Sequence, residues 1–95
     1  MSNFSTRRIN TLLDALGAPA RYLEIGVETG FTFFSVSAAS KTAVDPEFLF
    51  DVDAARSEHP SSEFHQMTSD VFFATRQPKE AYDLAHMGSD LSRFL

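Results

Sequence analysis

The hydrophobic positions of this chain follow two different rhythms. Over residues 5–16, Ile9, Leu12, Leu13 and Leu16 recur at i, i+3, i+4 and i+7, the apolar stripe of an amphipathic helix. Ser5 is a candidate N-cap, Gly17 a candidate C-terminal cap, and Pro19 stands where a helix cannot continue. The rhythm then shortens. Residues 21–27 (RYLEIGV) form a brief, mostly apolar run closed by Gly26 and Gly30, which predicts a buried strand entering a glycine turn. Residues 31–39 have helix length and end in small residues. Residues 41–45 (KTAVD) predict a second strand stopped by Pro46, and residues 48–57 a loop leading into a helix, with Pro60 and Ser61-Ser62 as breakers. Residues 63–68 (EFHQMT) predict a third strand, 70–76 a short helix ending before Pro78, and 82–87 (YDLAHM) a fourth strand.

The order α-βα-βα-βα-β predicts an α/β fold, with parallel strands and helices on both faces of a doubly wound sheet. Residues 1–20 form the leading helical segment of a single domain over 1–95. The load of large apolar groups agrees, because ten Phe and no Trp must fill one interior. Eight of those Phe (31, 33, 34, 48, 50, 64, 72 and 73) are expected in the core.

Charge removes several function classes. A net charge of −5, with Arg7-Arg8 the one adjacent basic pair, argues against a nucleic-acid surface, which needs clustered cations. Zero Cys excludes disulfides and thiolate metal sites and fits a reducing compartment. No apolar run approaches the roughly 20 residues that span a bilayer, and no secretory h-region opens the chain. The expectation is a cytoplasmic protein with no membrane partner.

Three strand ends carry the candidate chemistry. The first is Leu23-Glu24-Ile25-Gly26-Val27-Glu28-Thr29-Gly30, a strand with an acidic residue followed by Gly-x-x-x-Gly and a helix. Gly26 and Gly30 let backbone approach a ligand. A dinucleotide fingerprint would need G-x-G-x-x-G, and here position 28 is Glu, whose carboxylate would sit where phosphate charge belongs. A ligand carrying an ammonium or sulfonium suits such a turn better, and Glu24 is the best-placed carboxylate. The bland alternative is a tight strand-to-helix connection in some other α/β protein. The second end is Asp45, about 20 residues after the glycine turn, where an acid can accept from both ribose hydroxyls of an adenosine cofactor; otherwise Asp45-Pro46 only starts a turn. The third is Thr68-Ser69-Asp70-Val71, which also reads as a helix N-cap.

Taken together, residues 21–87 resemble the class I S-adenosylmethionine-dependent methyltransferase domain, in the subgroup with a Y-L-E-I-G-V-x-x-G-x-T-F first motif. Tyr22 to Val27, Gly30 and Thr32-Phe33 match that wording. Ala43-Val44-Asp45-Pro46 resembles the second motif, Met67 to Ala74 the third, and Tyr82-Asp83-Leu84 the opening of the fourth strand. The resemblance implies a Rossmann-like sheet truncated to about four strands in the order 3-2-1-4. It implies S-adenosylmethionine as cofactor and a small-molecule methyl acceptor. It also implies that Glu24, Gly26 and Gly30 face the methionine end, that Asp45 holds the ribose, and that Asp70 and the Val71 backbone contact the adenine.

The fit ends after the fourth strand. The subgroup usually continues into hydrophobic-Asp-Gly-x-His, whereas this chain reads His86-Met87-Gly88-Ser89-Asp90. The resemblance covers about two-thirds of the chain but less than half of a typical family domain, so an incomplete active site is expected, with no assignable catalytic residue. A non-catalytic remnant binding a nucleoside or a protein partner is the competing expectation; a dehydrogenase half-domain is disfavoured by Glu28. An unpaired fourth strand predicts self-association through that edge. His59, His65 and His86 lack ligand spacing, so no metal is expected: His59 is assigned to solvent and His65 to a neighbouring side chain. Asp51, Asp53, Arg56 and Glu58 read as a charged helix face.

Overall fold

The computed structural model describes residues 4–16, 19–75 and 82–87. Their elements run α1 (Phe4–Leu16), β1 (Arg21–Ile25), α2 (Phe31–Ser35), β2 (Ser40–Asp45), α3 (Val52–Glu58), β3 (Ser62–Gln66), α4 (Ser69–Thr75) and β4 (Leu84–Met87). The four strands form one sheet in the order β3-β2-β1-β4, and every pairing is parallel. This is a Rossmann-like arrangement of four parallel strands with an N-terminal helix.

Side-chain alternation divides the interior in two. Tyr22, Ala43 and Phe64 face one side of the sheet, where they meet Ile9 and Leu13 of α1, Phe33 of α2 and Ala55 of α3. Leu23, Ile25 and Val44 face the other side and meet Phe72 of α4. The first face carries the aromatic mass: Phe33, Phe34, Phe48, Phe50 and Phe64 contact one another with centroids 5.1–6.2 Å apart, mostly edge-on. Two of the eight Phe expected in the core are outside it. Phe31 is 52% exposed and Phe73 55%. On a helix at about 100° per residue, Phe31 lies opposite the buried Phe33, and Phe73 is turned away from the buried Phe72.

Several boundaries differ from the sequence pattern. α1 begins at Phe4, so Ser5 is inside the helix instead of capping it; Gly17 and Arg76 fall outside the described residues. β1 stops at Ile25, before the glycine turn. β2 starts one residue early, at Ser40, and α3 covers only Val52–Glu58, capped by Asp51 accepting from the Ala54 N–H at 3.1 Å. β3 is shifted to Ser62–Gln66, and β4 begins at Leu84, not Tyr82.

The largest change is α2, which ends at Ser35 and not Ala39. Val36 turns to extended geometry (φ −79°, ψ 135°). Groups distant in sequence take over the exposed end. The Lys41 ammonium donates to the Phe33 and Val36 carbonyls at 2.7 and 3.0 Å, while Asn10 of α1 donates to the Ser35 carbonyl and accepts from the Ser37 N–H. A cation on orphaned carbonyls at a helix C-terminus satisfies them and opposes the helix dipole.

Candidate functional site

The parallel strands all point their carboxyl ends the same way, and three of these ends are tied together by backbone. The Gly26 N–H donates to the Val44 carbonyl at 2.9 Å, linking β1 to β2, and the Met67 N–H donates to the Asp45 carbonyl at 3.1 Å, linking β3 to β2. Between them lies the glycine turn. Gly26 (φ 79°) and Gly30 (φ 83°) occupy left-handed backbone, and so does Glu28 (φ 55°). Glu28 is held there from both sides: its N–H donates to Asp45 Oδ2 at 2.9 Å, and its carbonyl accepts from the Leu49 N–H at 2.9 Å.

Asp45 is thus the hub of the turn. Its side chain has no exposure at all, and its second oxygen, Oδ1, accepts from the Glu47 N–H at 2.9 Å. The carboxylate organises two loops through backbone donors, which accounts for an acid with no exposed surface.

Glu24 is equally enclosed, at 2% exposure. Strand periodicity puts it on the face shared with Tyr22, whose hydroxyl donates to Glu24 Oε1 at 2.8 Å. Burial raises the Glu24 carboxyl from its ordinary value to about 7; the Tyr22 hydrogen bond and the Lys41 charge pull it down, and the Asp45 charge pushes it up. Burial, and then the adjoining carboxylate, push the Tyr22 hydroxyl upward, so it remains a donor. Burial lowers the Lys41 ammonium, opposed by the Glu24 charge, and its Nζ lies 4.8 Å from the Phe33 ring centre. Tyr22, Glu24, Lys41 and Asp45 therefore form one electrostatic group at the heart of the sheet.

The remaining site residues lie apart from this group. Gly30 opens α2, and a Cβ there would run into the Phe34 ring and press on Phe50, so the absent side chain serves core packing. Asp70 is exposed in the first turn of α4. The Val71 N–H is already engaged, donating to Thr68 Oγ1 at 3.2 Å, so the N-cap reading of that segment holds.

Sequence reasoning named Glu24 and Asp45 but gave no role to Tyr22 or Lys41. The i, i+2 spacing of Tyr22 and Glu24 on a strand was the available signal; nothing local marks Lys41. Among the histidines, His65 Nε2 lies 3.1 Å from Glu63 Oε1 and its ring meets Phe72, a neighbour contact as expected. His59, expected in solvent, packs on the Phe34 ring at 4.9 Å. In α3, Arg56 pairs with Asp53 at 3.5 Å and also donates to the Phe64 carbonyl. No cluster of three or more His, Asp or Glu side chains suited to a metal ion occurs among the described residues.

No protein-family model matches this chain, and no curated protein matches it. Among the described residues no helix is long and apolar enough to cross a membrane.

Proposed function

We propose that this chain is the cofactor-binding part of a class I S-adenosylmethionine-dependent methyltransferase acting in the cytoplasm on a small-molecule acceptor. One observation carries the reading: the acid ending β2, Asp45, is bonded to the turn that follows β1, so that ligand-facing ends of adjacent parallel strands are fixed as one unit. Such carboxyl ends are where open α/β sheets bind ligands. The acidity of this unit, with Glu24, Glu28 and Asp45, suits a cationic sulfonium better than a pyrophosphate.

In this reading the methyl group passes directly from sulfonium to acceptor, and the protein contributes position and electrostatics. Gly26 and Gly30 shape the turn beside the methionine end, and Asp70 and Val71 border the adenine. Asp45 would meet the ribose hydroxyls after a local opening, because the carboxylate is buried and accepts from the Glu28 and Glu47 N–H groups.

That same enclosure favours a second reading. An Asp45 whose oxygens serve backbone donors and a Val71 N–H already capped are what a non-catalytic remnant retains for structure, with a nucleoside or a protein as partner. Calorimetric titration of the chain with S-adenosylmethionine and, separately, NAD separates the two. Saturable binding of the first alone, lost in Asp45→Asn with the circular dichroism spectrum preserved, supports the methyltransferase reading; a folded chain that binds neither overturns it.

A further inference from the structure

Two ionisable side chains of opposite sign lie on the same face of the sheet and are not paired with each other. In the β1–β2 register Tyr22 stands opposite Lys41 and Glu24 opposite Ala43, so Glu24 and Lys41 are diagonal neighbours. Strands about 4.8 Å apart, rising about 3.3 Å per residue, set such a diagonal at about 8 Å, within reach of two long side chains. Among the described residues no ion pair joins the two. Glu24 accepts from the Tyr22 hydroxyl, and Lys41 donates instead to the Phe33 and Val36 carbonyls at the end of α2.

A buried carboxyl served by one neutral donor is well placed while it holds its proton. Once ionised it needs a counter-ion, because a charge removed from water is costly without one. The groups around Glu24 leave a single candidate. On β1, Tyr22 already donates. On β2, Asp45 is itself an acid, and its oxygens accept from the Glu28 and Glu47 amides. On β4, His86 stands in register with Glu24. Burial, and then the Arg8 charge, hold that imidazole below its ordinary value, so it is neutral where Glu24 ionises. Helix α2 carries no ionisable side chain, and those of α1 (Arg7, Arg8, Asp14) and α3 (Asp53, Arg56, Glu58) are exposed. The remaining cation is Lys41, whose ammonium holds the end of a helix only 5 residues long.

We propose that Glu24 and Lys41 form a proton-operated latch on the C-terminal end of α2. With Glu24 neutral, the Lys41 ammonium caps the helix; when Glu24 loses its proton, the ammonium turns to the carboxylate and releases the Phe33 and Val36 carbonyls. The charge change is at Glu24, and the element it biases is the end of α2 with the connection that leads from Val36 into β2. Withdrawing a cation from carbonyls at a helix C-terminus removes both their hydrogen bonds and a favourable interaction with the helix dipole. The latch uses this chain's own side chains and is independent of any cofactor.

Nuclear magnetic resonance of the isotopically labelled chain tests this, in a titration that runs well to either side of the Glu24 value of about 7. The Glu24 side-chain carboxyl carbon reports the proton, and the backbone carbonyl carbons of Phe33 and Val36 report the Lys41 hydrogen bonds. The expected result is that both carbonyl signals move with Glu24 at one shared midpoint. In Glu24→Gln, which keeps an oxygen for the Tyr22 hydroxyl, they should hold their low-pH positions throughout. In Lys41→Met they should sit at their high-pH positions throughout, and the Glu24 midpoint should rise, because the cation that favours its charged form is gone. The proposal is overturned if Glu24 does not titrate in this range, or titrates while the two carbonyls stay still. It is equally overturned if the carbonyls still move in Glu24→Gln, or if Lys41→Met leaves the Glu24 midpoint in place.

Discussion

Glu28 occupies left-handed backbone that costs a residue with a Cβ about 1–2 kcal/mol, and glycine avoids that cost. Replacing it by glycine also loosens the unfolded chain, which offsets about 0.5–1 kcal/mol. Glu28→Gly is therefore expected to stabilise the fold by up to about 1 kcal/mol, and Glu28→Val to destabilise it, read from urea midpoints. Gly30→Ala should be costlier, on the order of 2–4 kcal/mol, because left-handed strain adds to the clash with Phe34. Glu24 gives a pH signature. Its folded pKa, about 7, lies above the ordinary 4.5, so the native state binds more protons than the unfolded state between those values. Its contribution to stability is therefore greatest below about pH 4.5 and is lost as pH rises towards 7. Glu24→Gln should remove this dependence, and relative to the parent it should gain on the order of 3 kcal/mol between pH 4.5 and 8. Denaturant titrations at the two pH values test this, and parallel pH profiles for the two proteins would refute it. The sequence pointed to Glu24 and Asp45 as acids at strand ends. It could not disclose that both are enclosed, because their partners are a tyrosine hydroxyl and backbone amides whose positions depend on the completed sheet.

Among the elements, the strands were the most legible, since a short apolar run between breakers has few alternatives in an alternating α/β pattern. Their limits moved by one or two residues. Helix α2 was misjudged because its end is decided elsewhere. The small residues Ser37 to Ser40 are compatible with helix, yet Lys41 and Asn10 satisfy the carbonyls of Phe33, Ser35 and Val36 and so stabilise an early stop. Lys41→Met keeps the apolar stem over Phe33 and removes the donor. The Val36 amide, which closes this end of α2 by bonding to the Thr32 carbonyl, should then exchange with solvent about tenfold faster. Unchanged protection there would show that Asn10 suffices. Gly30 is a similar case. Its place before a helix was readable, but the Phe34 and Phe50 rings that demand it were not, because Phe50 reaches it from beyond β2.

For the molecule as a whole, the alternating pattern was enough to anticipate the parallel sheet, while its order 3-2-1-4 was anticipated from the family resemblance alone. The distribution of mass was not, because both faces are apolar in sequence and only packing shows that α1, α2 and α3 crowd one of them while, among the described residues, α4 is the one helix against the other. At the sheet margin β4 pairs with β1 along one side only among the described residues, and Met87 is 45% exposed. Such an edge is a template for another strand. We expect concentration-dependent association in sedimentation velocity, reduced by Met87→Lys, and a single species at every concentration would refute it.

The strand order also has a consequence in time. β1 sits between two neighbours that leave the ribosome at very different moments. β2 follows almost at once, whereas Asp83, whose N–H and carboxylate both bond the Arg21 backbone just ahead of β4, is separated from it by 62 positions. The entropic cost of closing a loop grows with its length, so a growing chain assembles β1 with β2 and β3 first, and holds one flank of its central strand open until β4 arrives.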